Sequence, residues 1–164
     1  MFPGILQSAK MNEAISFLHE KGKTVFLAMP HIFRDRTRKR YEKNYRQLEE
    51  QFDGVLVRNM ESVQFLREHS YEKTIVADHH IYQFNHYAKE FWKKYVSELS
   101  APLELNCHEL SELGCEGMEL LIYGYLPMMV SAVRAEDNGG LCTSDGISYY
   151  ERPLSEVIPG KKLL

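Results

Sequence analysis

Short apolar segments alternate with helix-forming segments along most of the chain, and this alternation constrains the fold more than any other feature. The stretches TVFLAM (24–29), GVLV (54–57) and TIVA (74–77) are apolar and rich in β-branched residues, as is typical of strands buried on both faces. Weaker strands are predicted at 102–105 and 119–123. Because single helices join these segments, each crossover must return the chain to the same end of the sheet, and the strands are predicted to run parallel.

The helical segments are recognised by apolar residues that recur every three or four positions. In the stretch from 35 to 52, for example, Tyr41, Tyr45, Leu48 and Phe52 would lie on one face of an amphipathic helix. On this basis helices are predicted at 11–21, 35–52, 60–69, 83–95 and 107–113.

Two architectures contain such a parallel sheet, the open doubly wound sheet and the (β/α) barrel. No predicted strand is followed by a GxGxxG or GxxxxGKS/T motif, which removes the main indication of a nucleotide-binding open sheet. We therefore predict an α/β fold, a partial TIM-like (β/α) barrel with about five parallel strands alternating with helices. A complete barrel needs eight strands and about 250 residues, so a chain of 164 residues is expected to be a piece of a barrel or to be completed by another chain.

The alternation of strands and helices ends near residue 134. The following stretch AEDNGGLCTSDG (135–146) has the composition of a loop, and the tail ends in PGKKLL. We predict that residues 1–134 form the partial barrel and that residues 135–164 form a C-terminal loop and tail, truncated from a longer protein.

The composition excludes several classes of protein. With 44% hydrophobic and 26% charged residues and a net charge of −3, the chain is expected to be globular rather than disordered or membrane-embedded. The N-terminal MFPGILQSAK has no signal-peptide pattern, and no apolar run approaches the eighteen residues of a membrane span. The three cysteines have no close CxxC spacing, which indicates reduced thiols, so we predict a cytoplasmic protein.

Polar side chains follow every predicted strand, at the ends where parallel α/β folds bind their ligands. We predict that these side chains line the mouth of the partial barrel, without assigning a catalytic residue among them. In chain order they are His31, Arg34, Arg58, Asn59, Asp78, His79, Glu104, Asn106, Tyr123 and Tyr125, and His80 follows the third strand beside His79.

Several of these residues have a second interpretation. Asn59 and Asn106 could instead cap the helices that follow them. His79 and His80 are neighbours in sequence, so their rings are expected to point in different directions. Imidazoles and carboxylates could build a metal or acid–base site here, but no HExxH-type spacing places them on one face.

The arginines also leave alternatives open. Arg58 directly follows the GVLV strand, where its guanidinium could bind a carboxylate or phosphate, or form an ion pair with Glu104 across the barrel. The basic run from Arg34 to Arg40 is either the solvated start of a helix or a phosphate-binding patch. The second interpretation stays open because arginines at a helix start are unfavourable for the helix dipole, a small cost that a role in phosphate binding would explain.

Four segments together carry a family resemblance, namely TVFLAMPHIFR, GVLVRNMESVQFL, PLELN and ELLIYGYLPMMVS. In combination, and over nearly the whole chain, they resemble the collagenase-like protease family, peptidase family U-32. The resemblance implies a TIM-like barrel of which this chain would be the C-terminal portion. It also implies a peptidase of unknown catalytic type, or, as in other relatives, a protein that acts in hydroxylating tRNA or ribosomal RNA bases or ubiquinone.

Several related full-length proteins bind an iron–sulfur cluster through four cysteines. Pro127 and Arg134 stand where relatives have cysteines, and Cys142 resembles a remaining partner from such a site. One thiolate cannot hold a cluster that needs four, so the resemblance implies no cofactor in this chain.

The function predicted from these observations is that of a peptidase U-32 family protein. Cys107 follows Asn106 at a strand-to-helix turn, where it is either a nucleophile or an idle thiol, and no GxSxG motif offers another nucleophile. The alternatives are an RNA-modification protein, in which the arginines hold phosphate and Tyr123 or Tyr125 stacks a base, and an inactive assembly module. The open sheet edges predict a homodimer, or completion by the missing barrel segment.

Overall fold

The fold is that of an open, all-parallel sheet covered by helices. The computed structural model describes residues 9–123, 141–142 and 148–149. Five strands form one sheet in the order β1-β2-β3-β4-β5, and every pair is parallel. The strands are β1 (Phe26–Ala28), β2 (Gly54–Val57), β3 (Thr74–Ala77), β4 (Glu98–Ser100) and β5 (Met118–Glu119).

The order of the strands in the sheet is their order in the chain. A doubly wound sheet reverses its direction of growth at a switch point, and this sheet has no such reversal. In the described residues β1 and β5 each have a single neighbour, so the sheet is not closed. The predicted α/β class and the alternation of strands and helices are confirmed, and the arrangement is consistent with a partial barrel.

Six helices alternate with these strands in the described part of the chain. None of them is both long and apolar enough to cross a membrane. They are α1 (Ala9–Glu20), α2 (Asp35–Lys43), α3 (Tyr45–Gln51), α4 (Met60–Glu68), α5 (His86–Trp92) and α6 (Cys107–Leu113).

The main core lies where one face of the sheet meets the helices. The register pairs Val57 with Ala77 and Ala77 with Leu99, so these side chains lie in a row on the same face. They belong to one buried cluster with helix residues that include Leu48, Phe65, Leu66 and Trp92. Phe65 and the paired strand residues are almost completely buried, which is why the apolar strand pattern was readable in the sequence.

The helix predicted from 35 to 52 is two helices in the structure. Helix α2 ends at Lys43 and α3 begins at Tyr45, with Asn44 between them at φ −114° and ψ 17°. The Asn44 side chain donates a hydrogen bond to the carbonyl oxygen of Arg40 at 2.8 Å. Asparagine side chains compete in this way with the regular backbone bonds, and the apolar periodicity continues across the break because both helices pack on the same core.

The fourth strand was predicted at the wrong position. It lies at Glu98–Ser100 rather than at 102–105, and Leu99 is its buried core residue. The stretch 102–105 follows as a loop, where Pro102 could not donate to a sheet ladder in any case. The fifth strand also ends early, at Glu119, and the apolar residues that follow are exposed: Leu120, Leu121, Ile122 and Tyr123.

The chain divides into two compact units, Met1–Met128 and Met129–Leu164. In the second unit β6 (Leu141–Cys142) and β7 (Ser148–Tyr149) pair antiparallel, with Leu141 opposite Tyr149. The predicted division into 1–134 and 135–164 stays a prediction.

Candidate functional site

The carboxyl ends of the first three strands bring together five polar side chains. Backbone hydrogen bonds continue the ladder one residue past the strands, from Met29 N to Leu56 O at 2.8 Å and from Asp78 N to Val57 O at 2.9 Å. The segments that follow these strands therefore start side by side. We call the set that they carry the strand-end cluster: His31, Arg58, Asp78, His79 and His80.

Asp78 is the centre of the strand-end cluster. Its side chain is only 8% exposed, and its Oδ2 accepts a hydrogen bond from Arg58 Nε at 2.7 Å. Its Oδ1 lies 2.5 Å from His79 Nδ1, and its Oδ2 lies 3.4 Å from His80 Nδ1. A single buried carboxylate thus faces a guanidinium and two imidazoles.

The protonation of Asp78 is decided by opposing effects. Burial raises the pKa of a carboxyl group, but the hydrogen bond from Arg58 and the charges of His79, Arg58 and His80 outweigh burial and hold the pKa of Asp78 below its ordinary value. Asp78 is therefore a carboxylate at neutral pH. The alternative prediction, an ion pair between Arg58 and Glu104, is wrong. Among the described residues the ion-pair partner of Arg58 is Asp78.

The three histidines are packed against each other, contrary to the expectation that His79 and His80 point apart. The ring centroids of His79 and His80 are 4.1 Å apart, and His31 meets His80 edge-on at 4.6 Å. The turn explains this arrangement, because Ile81 N donates to Asp78 O at 2.9 Å and the Ile81 side chain is buried, which folds the segment back on itself.

Burial also affects the imidazoles. It is the main reason that the pKa of His31 is lowered to about 4, helped by the positive charges of Arg58 and His80. Burial likewise lowers the pKa of His79 and outweighs the nearby charge of Asp78. His31 and His79 are therefore uncharged near neutral pH and can accept a proton or bind a metal ion.

Asn59 is a helix cap, as one of its two interpretations proposed, and it also organises the site. Its Oδ1 accepts a hydrogen bond from Ser62 N at 2.8 Å. Its Nδ2 donates to the carbonyl oxygens of Pro30 at 2.9 Å and His31 at 3.1 Å. One side chain thereby ties the start of α4 to the loop that carries His31.

The two candidates that follow β4 have different roles. Asn106 caps α6 in a capping box, accepting from His108 N and Glu109 N while Glu109 accepts from Asn106 N. Glu104 is exposed, and its charge is close enough to act on His79, raising the pKa of that imidazole against the larger effect of burial. Glu104 thus lies at the edge of the strand-end cluster, whereas the side chain of Asn106 caps α6.

The remaining candidates lie apart from this cluster. Within the described residues, no hydrogen bond, ion pair or ring contact joins Arg34 or Tyr123 to it. Arg34 directly precedes α2, and Tyr123 is 87% exposed. Tyr125 lies outside the described residues.

The cysteines do not form a nucleophile–base pair in the described part of the chain. Cys107 is exposed at the first position of α6, and Cys115 Sγ donates to Leu110 O at 3.2 Å. Cys142 lies in β6 of the second unit. The whole chain has three cysteines, fewer than the four thiolates of a cysteine-bound cluster, so the residues present do not fit that cofactor.

A pair of exposed aromatic rings beside the cluster was missed in the sequence. Tyr82 and Phe84 are stacked, with centroids 5.5 Å apart and planes at 22°. Ile81, before the two rings, and Gln83, between them, are buried. Buried and exposed side chains therefore alternate along IYQF with the period of two of an extended segment. This period of two was the signal, but the second half of the segment was assigned to a helix predicted from residue 83. That helix begins only at His86, capped by Asn85.

Helices on a parallel sheet, with ionisable side chains gathered at the carboxyl ends of its strands, define the α/β class of protein and are consistent with a partial (β/α) barrel. The sequence profile of peptidase family U32 matches residues 3–134. The chain therefore belongs to peptidase family U32. No curated protein and no solved structure matches it.

Proposed function

We propose that this chain hydrolyses peptide bonds and that the strand-end cluster is its catalytic centre. The observation that supports this most directly is the 2.5 Å contact between Asp78 Oδ1 and His79 Nδ1. A carboxylate at Nδ1 keeps the proton on that nitrogen and leaves the lone pair on Nε2. An imidazole oriented in this way by an aspartate is the general base of many hydrolytic sites.

Arg58 supplies the second element of this proposal. Its Nε is engaged by Asp78 at 2.7 Å, while its side chain remains 25% exposed. We expect the terminal guanidinium nitrogens, which this bond leaves unused, to bind a substrate that enters from the solvent. Guanidinium N–H groups bind carboxylates and stabilise negative charge that develops on a carbonyl oxygen.

The proposed reaction consumes one water molecule and needs no covalent intermediate. His79 Nε2 removes a proton from the water while the water oxygen bonds to the peptide carbonyl carbon, and Arg58 binds the oxyanion that forms. The C–N bond then breaks, and the proton on His79 passes to the leaving amine. Asp78 stabilises the imidazolium between these two steps.

Variants of the purified chain test this mechanism against a cysteine nucleophile. With fluorescently labelled casein or denatured collagen as substrate, we expect His79→Ala to lose activity by about 100-fold or more, the usual contribution of a general base. The control variant Cys107→Ser is expected to keep its activity. Absence of peptidase activity in the wild-type chain, or activity lost in Cys107→Ser and kept in His79→Ala, would contradict the proposal.

Binding of RNA is the second candidate function, and the stacked rings of Tyr82 and Phe84 favour it. Tyr82 is 63% and Phe84 42% exposed, on the segment that directly follows the strand-end cluster. Exposed aromatic rings stack on unpaired bases. The basic run supports RNA less than expected, because Arg38 is paired with Glu42 and Glu68.

Single-stranded RNA binding at several salt concentrations tests this second function. We expect Tyr82→Ala to weaken binding by about tenfold if a base stacks there. Tyr87→Ala is the matched control, because Tyr87 is 90% exposed but lies on α5. Equal binding by both variants and the wild type would exclude Tyr82 as a stacking residue.

A further inference from the structure

We propose that three consecutive residues of the strand-end cluster, Asp78, His79 and His80, bind a divalent transition-metal ion of the zinc type. Each residue offers one ligand atom, and the three atoms all lie within 4.8 Å of one another. The inference rests on the hydrolytic function proposed above, since it concerns the same site and gives it a second way to activate water.

The donor set is the kind that catalytic zinc sites use. Two imidazole nitrogens and one carboxylate oxygen are the protein ligands in one established class of zinc hydrolases. Imidazole ligands favour zinc and its neighbours over magnesium or calcium, which prefer oxygen ligands. Three protein ligands leave a fourth position for water.

One distance between donor atoms is close to that of a tetrahedral site. Bonds of 2.0–2.1 Å to a central zinc ion put neighbouring ligand atoms about 3.3 Å apart. Asp78 Oδ2 and His80 Nδ1 already lie at 3.4 Å. Asp78 Oδ1 and His79 Nδ1 lie 2.5 Å apart, a distance to the other carboxylate oxygen. The side chains would therefore have to rotate until one oxygen of Asp78 lies about 3.3 Å from both imidazole nitrogens.

His80 provides an independent observation that points to a ligand. Its Nδ1 is buried and forms no hydrogen bond in the described part of the chain, although Asp78 Oδ2 lies 3.4 Å away. A buried nitrogen without a partner is costly. A bound metal ion would supply the missing partner.

The neighbours of these three ligands are placed to support them. Arg58 holds Asp78 through Oδ2 at 2.7 Å, and His31 packs edge-on against His80, so both ligands are oriented from outside. The guanidinium of Arg58 also repels a cation. We therefore expect weaker binding than at a site with the same three ligands and no neighbouring arginine.

A bound ion would change how water is activated at this site. The imidazole of His79 would then coordinate the ion rather than take the proton, and the ion would lower the pKa of its bound water. Arg58 would keep its place beside the substrate carbonyl in either case.

Direct metal binding tests the proposal without any use of activity. The full chain, freed of metal with a chelator, is titrated with Co²⁺ while its visible absorption is recorded, and with Zn²⁺ in competition with a coloured chelator. We expect saturable binding by the wild type and a loss of affinity of about tenfold or more in His80→Ala and His80→Gln. The control His108→Ala, with an exposed imidazole on α6, is expected to bind like the wild type.

The outcomes separate this inference from the hydrolytic proposal. Equal affinity in His80→Ala, His80→Gln and wild type, with all three folded by circular dichroism, would overturn the metal site, as would absence of saturable binding by the wild type. Hydrolysis that survives complete chelation would overturn a role of the metal ion in activating water and would support His79 as the general base. Metal binding without hydrolysis would keep the metal site and overturn the proposed function.

Discussion

Asp78 carries a buried negative charge whose partners come from two different strands of the sheet. Arg58 follows β2, and the histidines follow β3 together with Asp78 itself. Removing one partner of such a buried pair is costly, because the remaining charge stays unpaired away from water. The site and the stability of the fold therefore depend on the same contact.

Replacing Arg58 by methionine is expected to destabilise the chain. The side chain of Asp78 is 8% exposed and that of Arg58 25%, so the pair is partly solvated and we expect a loss of about 1–3 kcal/mol in the free energy of unfolding. Urea unfolding measures this loss. In the double variant Arg58→Met, Asp78→Asn the unpaired charge is gone, and part of the stability should return; equal stability of Arg58→Met and wild type would contradict the expectation.

Asp53 is expected to make stability depend on pH in the acid range. Its Oδ2 accepts hydrogen bonds from Val25 N at 2.6 Å and from His19 Nε2 at 2.9 Å, and these bonds, first that of Val25, lower the pKa of Asp53 from its ordinary 3.8. The unfolded chain therefore binds a proton more readily than the folded chain. The stabilisation is complete above pH 3.8 and is lost as the pH falls through the lower folded-state value.

The variant Asp53→Asn isolates this effect. It should be less stable than the wild type near neutral pH, and the difference should shrink as the pH falls below 3.8. Thermal unfolding followed by circular dichroism across this range measures both curves. A difference that stays constant down to acid pH would show that the carboxylate charge contributes nothing.

The C-terminal end of α6 is capped by a lysine from another helix. Lys89 on α5 is buried, and its Nζ donates to the carbonyl oxygens of Leu113, at 3.4 Å, and Gly114. These carbonyls lie at the negative end of the helix dipole, where a cation is stabilising. The last turn of α6 and the body of α5 are thereby linked.

Lys89→Met is expected to destabilise the chain by about 1–2 kcal/mol, because the end of α6 loses its cation and its hydrogen bonds. The matched control is Lys93→Met on the same stretch of chain. Lys93 is exposed, and its ion-pair partner within the described ranges is Glu90 at 2.8 Å, so its loss should cost less than about 0.5 kcal/mol. Chemical denaturation of both variants provides the comparison, and equal effects would count against a special role for Lys89.

Elements that bury a regular apolar pattern could be predicted from the sequence with the correct bounds. This holds for β2 and β3, which are short, largely buried apolar runs. The bounds of α6 were also predicted correctly, with its start marked by the Asn106 cap. The break at Asn44 could not be predicted, because a local side-chain hydrogen bond causes it. Nor could the position of β4, because Leu99 is selected by its pairing with Ala77, a long-range contact.

The same distinction applies to the site. That polar residues gather at the strand ends follows from parallel topology and could be predicted. The close packing of His31, His79 and His80 could not, since it depends on the tight turn at Asp78 and on burial of Ile81. The sequence gives the order of these residues, but it does not show how tightly the chain turns at Asp78.

The whole sheet has two open edges, and apolar side chains near both are exposed in the described residues. Phe26 on β1 is 40% exposed, and Ile122 beyond β5 is 93% exposed. Unpaired strand edges and exposed apolar groups favour association. We propose that the chain forms a homodimer through one of these edges.

Light scattering coupled to size-exclusion chromatography tests the dimer over a range of concentrations. We expect a mass that rises towards twice 19.2 kDa with increasing concentration, and a shift towards the monomer in Ile122→Asp or Phe26→Asp. Tyr87→Asp is the control for an added surface charge, because Tyr87 is 90% exposed on a helix. A monodisperse monomer at every concentration would refute the proposed dimer.

The sequential strand order also bears on how such a sheet can lengthen over evolutionary time. In the described part of the chain, each strand of the five-stranded sheet pairs only with strands next to it in sequence, so duplication of a strand–helix unit at either margin would break no existing pair. A reversed order would force an inserted unit to separate strands that are already joined. Gain or loss of whole repeats should therefore be tolerated at the margins and resisted in the middle, where β2 and β3 support the strand-end cluster.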